Sequence, residues 1–291
     1  MRPSLAHRCA AGRVRFIRFS ALVITCAVLG IGVYGPGLAD WAAARAVFSG
    51  AAAYVHADNA APPSGLLPAA ERRRATPSTR IALTAAQQAL THAGLDAKTV
   101  PAVFGSSSGN PDIIHDICAM LAAGDYQISP TKFHNSVHNA ASGYYSIAVA
   151  SHSAVTSLCA FDGTATAALL ETAVQAIAAH SPVLMVCYDL PYPFPLSEAR
   201  PTVDAWSLAL VLAPPEFGSA VARLTLTDGA ASDTKRSSDT VLAEPQLELI
   251  RRGNPTARML PLFAALAQPG SSEIVLRQGN GRALFVATSA C

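Results

Sequence analysis

The chain has 291 residues, of which 51% are hydrophobic and 14% charged, with a formal net charge of +2. This composition excludes a disordered chain and leaves room for a sizeable core, in one large domain or two small ones. The positive excess lies in the first 20 residues, which hold Arg2, Arg8, Arg13, Arg15 and Arg18 and no acid, and no basic patch points to nucleic acid.

In chain order, residues 1–20 read as a basic, disordered extension. The apolar run "ALVITCAVLGIGVYG" follows. Extension and run together imitate a signal peptide or an anchor. The run is about 15 residues, short of the roughly 20 that a spanning helix needs. Its β-branched residues and the "GPG" that closes it favour a buried strand. "ADWAAARAVFSG" is a short helix with Asp40 as N-cap and Gly50 as stop. Ser78 to Ala93 is a clear helix, with Ile81, Leu83, Ala86 and Leu90 on one side and Gly94 as C-cap. Val100 to Phe104 is a buried strand entering "GSSSG". Asn110 and Pro111 open a helix whose apolar face is Ile113, Ile114, Ile117, Met120 and Leu121. A loop and an apolar helix from about Ala141 to Ser151 come next. "AVTSLC" is a buried strand, and Asp162 is placed to cap the apolar helix that begins at Gly163 or Thr164.

Val183 to Tyr188, Ala205 to Leu212 and "SAVARLTLTDG" are strands. Residues 229–244 are polar and read as a flexible loop. "ARMLPLFAALAQPG" is a helix, and "SEIVLRQGNGRALFVATS" is a hairpin turned at "QGNGR". Strands alternating with helices give an α/β fold. Residues 21–291 are read as one domain.

Chemistry centres on Cys159. A thiol at a strand-to-helix turn lies near the positive end of the helix dipole, which favours the thiolate. The competing reading is a small buried hydrophobe. The six cysteines are widely spaced with no CxxC, as in a reduced, cytosolic protein with mostly buried thiols. His134 and His138 stand at an i, i+4 spacing that would suit a metal on a helix, but Asn135 replaces the acid of a zinc protease motif, so no metal is expected. "GSSSG" resembles a phosphate cradle but lacks the lysine of a P-loop. Glu71 to Arg74 reads as a solvated helix face.

The segment order resembles the N-terminal half of a β-ketoacyl synthase of the thiolase fold, with a mixed sheet and buried helices. Within that family it is most similar to the chain length factors of aryl polyene and related clusters. The resemblance rests on "GIGVYGPGLADWAAARAV", "LLPAAERRRATPSTRIALTAAQQAL", "VFGSSSGNPDIIHDICAMLA", "SPTKFHNSVHNAASGYYSIA", "TSLCAFDGTATAALLETA", "AWSLALVLAP" and "NPTARMLPLFAAL". It runs from about residue 20 to the C-terminus, and "SPTKFHNSVHNAASGYYSIA" is its most specific part.

Active ketosynthases carry their nucleophile in a T-A-C-x-S-G-x-x-A motif. Matched backward from Gly163, the nucleophile position falls on Ala160, with Cys159 adjacent. Matched forward from the strand, it falls on Cys159 with one residue inserted. The first placement is preferred, because buried packing sets where the helix starts. The family's two downstream catalytic groups, usually histidines, also have no counterpart, since His180 is the last histidine.

The resemblance therefore implies a subunit without catalytic residues. Its partner is a complete β-ketoacyl synthase, bound as a heterodimer, and an acyl carrier protein reaches it indirectly through that partner. No cofactor, metal, nucleic acid or membrane is implied, and the location is cytoplasmic. Residues 129–151 are expected at the interface, with Phe133, His134, His138, Tyr144 and Tyr145 as partner or channel contacts. The alternatives are an acyltransferase or thioesterase-like enzyme acylated on Cys159, and a protein anchored or exported through its N-terminus.

Overall fold

The computed structural model describes residues 22–58, 62, 65–230, 238–279 and 281–290. The expected N-terminal extension, with its five arginines, lies outside these residues. Eight strands form one mixed sheet in the order β3-β2-β4-β5-β1-β6-β8-β7. In chain order the elements are β1 (Val23–Tyr34), α1 (Trp41–Phe48), α2 (Ala69–Arg74), α3 (Pro77–Ala93), β2 (Ala102–Gly105), α4 (Pro111–Ala122), α5 (Pro130–Ser136) and α6 (Ala140–Ala148). Then follow β3 (Val155–Leu158), α7 (Thr164–Ala179), β4 (Val183–Asp189), α8 (Leu196–Ala199), β5 (Trp206–Ala213), β6 (Ala222–Ala230), α9 (Pro245–Gly253), α10 (Leu260–Leu266), β7 (Ser272–Gly279) and β8 (Arg282–Ala290).

Within the apolar run, Val23–Tyr34 form a strand, as the β-branched residues predict. β1 pairs antiparallel with β5 on one side and, through its first half, with β6 on the other. Reading this run as a helical anchor is thereby corrected, and no helix among the described residues is long and apolar enough to cross a membrane.

β2 lies parallel to both β3 and β4, so helices must cross over the sheet faces. Both faces are covered, which is why the central strands read as unbroken apolar runs. In β4, Val183, Met185 and Cys187 join the core under α7, α9 and α10, while Leu184, Val186 and Tyr188 join the core under α3 and α6.

α3 is capped by Thr76 and stopped by Gly94 in the left-handed conformation at φ 66°. Its small residues let it lie directly on the sheet: a Cβ on Gly30 would come within 2.0 Å of the Ala89 carbonyl oxygen, and one on Gly32 within 2.1 Å of that of Ala85. Beyond Val28, β1 has no ladder partner on the β6 side, and α3 fills the gap. His92 Nδ1 accepts the Ile31 N–H at 3.1 Å and Gln88 Oε1 accepts the Val33 N–H at 2.9 Å.

The apolar face of α4 is left partly open: Ile114 and Leu121 are 37% and 43% exposed. Two expectations need correction. β3 is a half-buried edge strand rather than a buried one, because only β2 pairs with it. The cysteines are not mostly buried; of the four described, Cys26 and Cys187 are buried, while Cys118 and Cys159 are exposed. Within the polar stretch 229–244, residues 229–230 end β6, and residues 231–237 lie outside the described set. Thr240 is tied to the edge of β7, donating its N–H to the Val275 carbonyl at 3.1 Å and accepting the Val275 N–H on its hydroxyl at 2.9 Å.

Candidate functional site

Open α/β sheets carry their sites beyond the carboxyl ends of the parallel strands. Here β2, β3 and β4 end in residues 106–110, 159–163 and 189–204. Residues 254–258 close over the same place.

The organising group is Asp189, buried at the end of β4. Its Oδ1 accepts from the Ser107 N–H and hydroxyl, both at 2.8 Å, and from the Ser106 hydroxyl at 3.2 Å. Its Oδ2 accepts from the Thr256 hydroxyl at 2.9 Å. Burial pushes the Asp189 carboxyl above the usual carboxylate range, and the hydrogen bonds from Ser107, Thr256 and Ser106 offset only part of that. The donors of "GSSSG" are therefore taken up by the protein's own Asp189 rather than left open for a phosphate.

Asn254, fully buried, knits the neighbouring loops. Its amide donates to the carbonyls of Asp204 at 2.9 Å and Val203 at 3.2 Å, and its Oδ1 accepts from the N–H groups of Thr256 and Ala257 at 2.9 and 3.1 Å.

Cys159 and Ala160 lie at the turn between β3 and α7. The exposed Cys159 thiol donates to the Ser107 carbonyl at 3.5 Å, and among the described residues no imidazole or carboxylate hydrogen-bonds to it. Nucleophilic catalysis needs such a base. Ala160 offers only a methyl group, and its N–H donates to Thr164 Oγ1 at 2.9 Å. Phe161 takes φ 52°, a rare conformation for a bulky residue, and leaves its ring 63% exposed. The Arg200 guanidinium stacks on that ring at 3.8 Å.

Asp162 does not cap α7, contrary to expectation. Gly163 is the N-cap and makes no side-chain cap bond. The Asp162 carboxylate instead bridges Arg200 at 2.5 Å and Arg258 at 2.9 Å. Two guanidiniums outweigh a helix cap, because each sets a full positive charge against the carboxylate, where a cap offers only a neutral N–H. Gly163 is held against β7, where a Cβ would lie 2.6 Å from the Gln278 carbonyl oxygen. The start of α7 is thus set by packing, as expected.

His134 and His138 do not share a helix face, because α5 ends at Ser136. His134 meets Tyr144 edge-to-face at 5.8 Å, and His138 Nε2 lies 2.8 Å from the Ser106 carbonyl oxygen. Among the described residues no three His, Cys, Asp or Glu side chains gather as a metal site would require. Phe133 is 65% exposed. Tyr144 and Tyr145 point the other way, into the core, where Tyr145 packs on Phe104 at 5.4 Å.

Phe133 is not alone. Ile114, Leu121, Tyr126, Val137 and Ile147 are also exposed, on α4, α5, α6 and the turns between them. These helices pack on one another, and α6 packs on β3, so the apolar face adjoins the unpaired sheet edge. Lys132 and Asp116, 2.8 Å apart, tie α5 to α4.

Sequence reasoning missed Asp189, Asn254, Thr256, Arg200 and Arg258. An acid at the end of a buried strand, in "MVCYDLP", was the available signal for the first of these.

A family model described as β-ketoacyl synthase, N-terminal domain, matches residues 42–259. No curated protein matches the sequence. Among solved structures, the chain is similar to one from the complex of the ketosynthase ApeO with its chain length factor ApeC from Xenorhabdus doucetiae. The TM-score is 0.67 at 20% identity, covering 91% of this chain and 99% of that one. It is also similar to a chain of AntDE:AntF, a type II polyketide synthase acyl carrier protein in complex with its ketosynthase bound to the hexaketide. There the TM-score is 0.69 at 13% identity, with 93% and 100% covered. A chain of the ishigamide ketosynthase/chain length factor gives 0.66 at 13% identity, with 92% and 99% covered. At these identities the likeness establishes a shared fold.

Proposed function

The chain belongs to the β-ketoacyl synthase N-terminal domain family, and from that premise we propose that it is a chain length factor, a ketosynthase-like subunit without condensing activity. It pairs with a complete β-ketoacyl synthase and closes the far end of the acyl channel, limiting the aryl polyene or polyketide-type chain that grows there. A floor side chain stops growth because further methylenes would overpack the channel. The acyl group arrives on a carrier protein docked on the partner.

The observation that carries this reading is the turn before α7. In the placement counted back from Gly163 the nucleophile position falls on Ala160, which carries only a methyl group, and the neighbouring Cys159 thiol donates to the Ser107 carbonyl at 3.5 Å with no base beside it among the described residues. The open apolar face beside β3 supplies the surface for a partner. Phe133, His134 and His138 are its proposed contacts, with Tyr144 and Tyr145 as the struts behind them.

The test is co-expression with the ketosynthase encoded beside it, followed by size-exclusion chromatography with mass determination. A one-to-one complex is expected, with a product profile unchanged by Cys159→Ala. A stable lone monomer or homodimer that never binds the ketosynthase sinks the reading. So does Cys159 alkylation by iodoacetamide an order of magnitude faster than that of a free small-molecule thiol, the mark of an activated cysteine.

A further inference from the structure

Beside the turn before α7 lies a cavity of 260 Å³. Four segments converge on it. The turn contributes Phe161 and Asp162, the segment after α8 contributes Arg200, the end of α9 contributes Arg252, and the short turn before α10 contributes Arg258. Among the described residues, three guanidiniums and one carboxylate therefore line a single space.

The carboxylate answers the cations only in part. Asp162 accepts one hydrogen bond from Arg200 at 2.5 Å and one from Arg258 at 2.9 Å. Arg252 donates from Nε to Glu248 at 2.7 Å, on its own helix, and Glu248 is shared with Arg251. A guanidinium carries five N–H donors. Each of the three spends one of them on a carboxylate, and all three side chains are partly or largely exposed. Unspent donors on several arginines suit a group with several charged oxygens, and the planar fork of arginine matches phosphate geometry.

Size narrows the ligand further. Sites that enclose a whole small molecule span roughly 300–1,000 Å³. This cavity is smaller, so it takes a charged headgroup and leaves the rest of the ligand at its mouth. The Phe161 ring stands exposed there, with the Arg200 guanidinium 3.8 Å from its centroid. An aromatic ring at the rim gives an organic substituent an apolar surface to rest on.

We propose that this cavity binds the phosphate group of an organic phosphate monoester, with Arg200, Arg252 and Arg258 as donors and Phe161 against the organic part. The proposal stands whether or not the chain pairs with a ketosynthase. The test is isothermal titration calorimetry of the purified full-length protein, with any partner it co-purifies with. It is run in about 0.15 M salt, where attraction beyond roughly 8 Å is screened. Phenyl phosphate is expected to bind saturably at one site. Inorganic phosphate, which lacks the ring, should bind several-fold more weakly, and benzoate, which has the ring but a single charge, about ten-fold or more.

Arg258→Gln is expected to weaken phenyl phosphate binding by about ten-fold or more. If that variant does not fold, Arg252→Gln, at an exposed position, is read the same way. Arg223→Gln loses the same charge on β6, outside the cavity, and should bind as wild type does. Absence of saturable binding overturns the proposal, as does binding untouched by the Arg258 and Arg252 variants. Equal weakening by Arg223→Gln also overturns it and makes the effect one of net charge. Inorganic phosphate or benzoate binding as tightly as phenyl phosphate overturns it too, since the ligand would then be a free anion or a ring.

Discussion

Asp189 illustrates how much one buried side chain can organise. It gathers donors from Ser106, Ser107 and Thr256, and so ties the ends of β2 and β4 to the segment before α10. Asp189→Ala strips these donors of their acceptor, and each buried unsatisfied group costs about 1–3 kcal/mol. Asp189→Asn keeps the shape and one acceptor oxygen, so urea denaturation should rank wild type and Asn close together and Ala well below. The pH dependence has a definite sign. Because burial raises the folded-state carboxyl above its ordinary value of 3.8, the folded protein holds a proton there that the unfolded chain has released. The contribution is fully present below the unfolded value and is lost as pH rises through the folded one. The stability difference between Asp189→Asn and wild type should therefore be flat below pH 3.8 and change as pH rises from there through the folded-state value. A flat difference throughout would mean that the carboxyl titrates normally. The acid was visible in "MVCYDLP" but its partners were not, since Ser107 and Ser106 lie 82 and 83 residues before it and Thr256 67 after it. Asp162 failed in the same way: capping rules are local, and its two arginines come from distant loops.

At the scale of elements, the contact of α3 with β1 is backbone against backbone. A methyl at Gly32 would strike the Ala85 carbonyl, and neither strand nor helix has room to yield. Overpacking typically costs about 1–3 kcal/mol, and Gly32→Ala should fall at or beyond the upper end. Gly143, inside α6, has open space where a methyl would stand, with no atom within 4 Å, so Gly143→Ala should stabilise by about 0.5–1 kcal/mol through helix propensity alone. Denaturation midpoints moving in opposite directions would establish the contrast; equal losses would contradict it. Helix α9 yields a prediction in acid. Hydrogen bonds from Arg251 above all, with the Leu242 N–H and Arg252, pull the Glu248 carboxyl from 4.5 down to about 2. That stabilisation is present above pH 4.5 and disappears as pH falls toward 2. Glu248→Gln should be less stable than wild type at neutral pH and should converge with it in acid, as read by denaturation at each pH. The elements themselves differ in legibility. β1, β4 and β5 stand out because strands buried on both faces are apolar without interruption. The apolar stripe of α4 is plain in the sequence, yet it is not core, because periodicity reports a face and not what covers it. Helix α9 escapes the sequence reading, although Pro245 at its start and the apolar pair Leu247 and Ile250 mark an amphipathic turn.

At the scale of the whole molecule, the sheet treats its two edges differently. An unpaired edge invites association, and proteins cover or blunt the edges they do not use. The β7 edge is covered: the Arg277 N–H donates to Asp239 at 2.9 Å, and Thr240 bonds to Val275. Among the described residues no strand pairs with the outer side of β3, and the helices beside it present Ile114, Leu121, Phe133 and Ile147 outward. Apolar surface of that kind beside an open edge marks a partner site. Phe133 and Ile147, at 65% and 49% exposure, contribute little to the core. Phe133→Glu combined with Ile147→Glu should accordingly leave the thermal midpoint of the isolated chain within about a degree or two, since surface changes are usually within ±0.5 kcal/mol. The same pair should weaken ketosynthase binding by about 30-fold or more, the effect of losing about 2 kcal/mol at a central hot spot. Leu249→Glu, 64% exposed on α9 and away from β3, serves as the control. Its complex should survive size-exclusion chromatography when that of the double variant does not. If both variants bind alike, the partner reaches the chain by another surface, and the unpaired edge of β3 needs a different explanation.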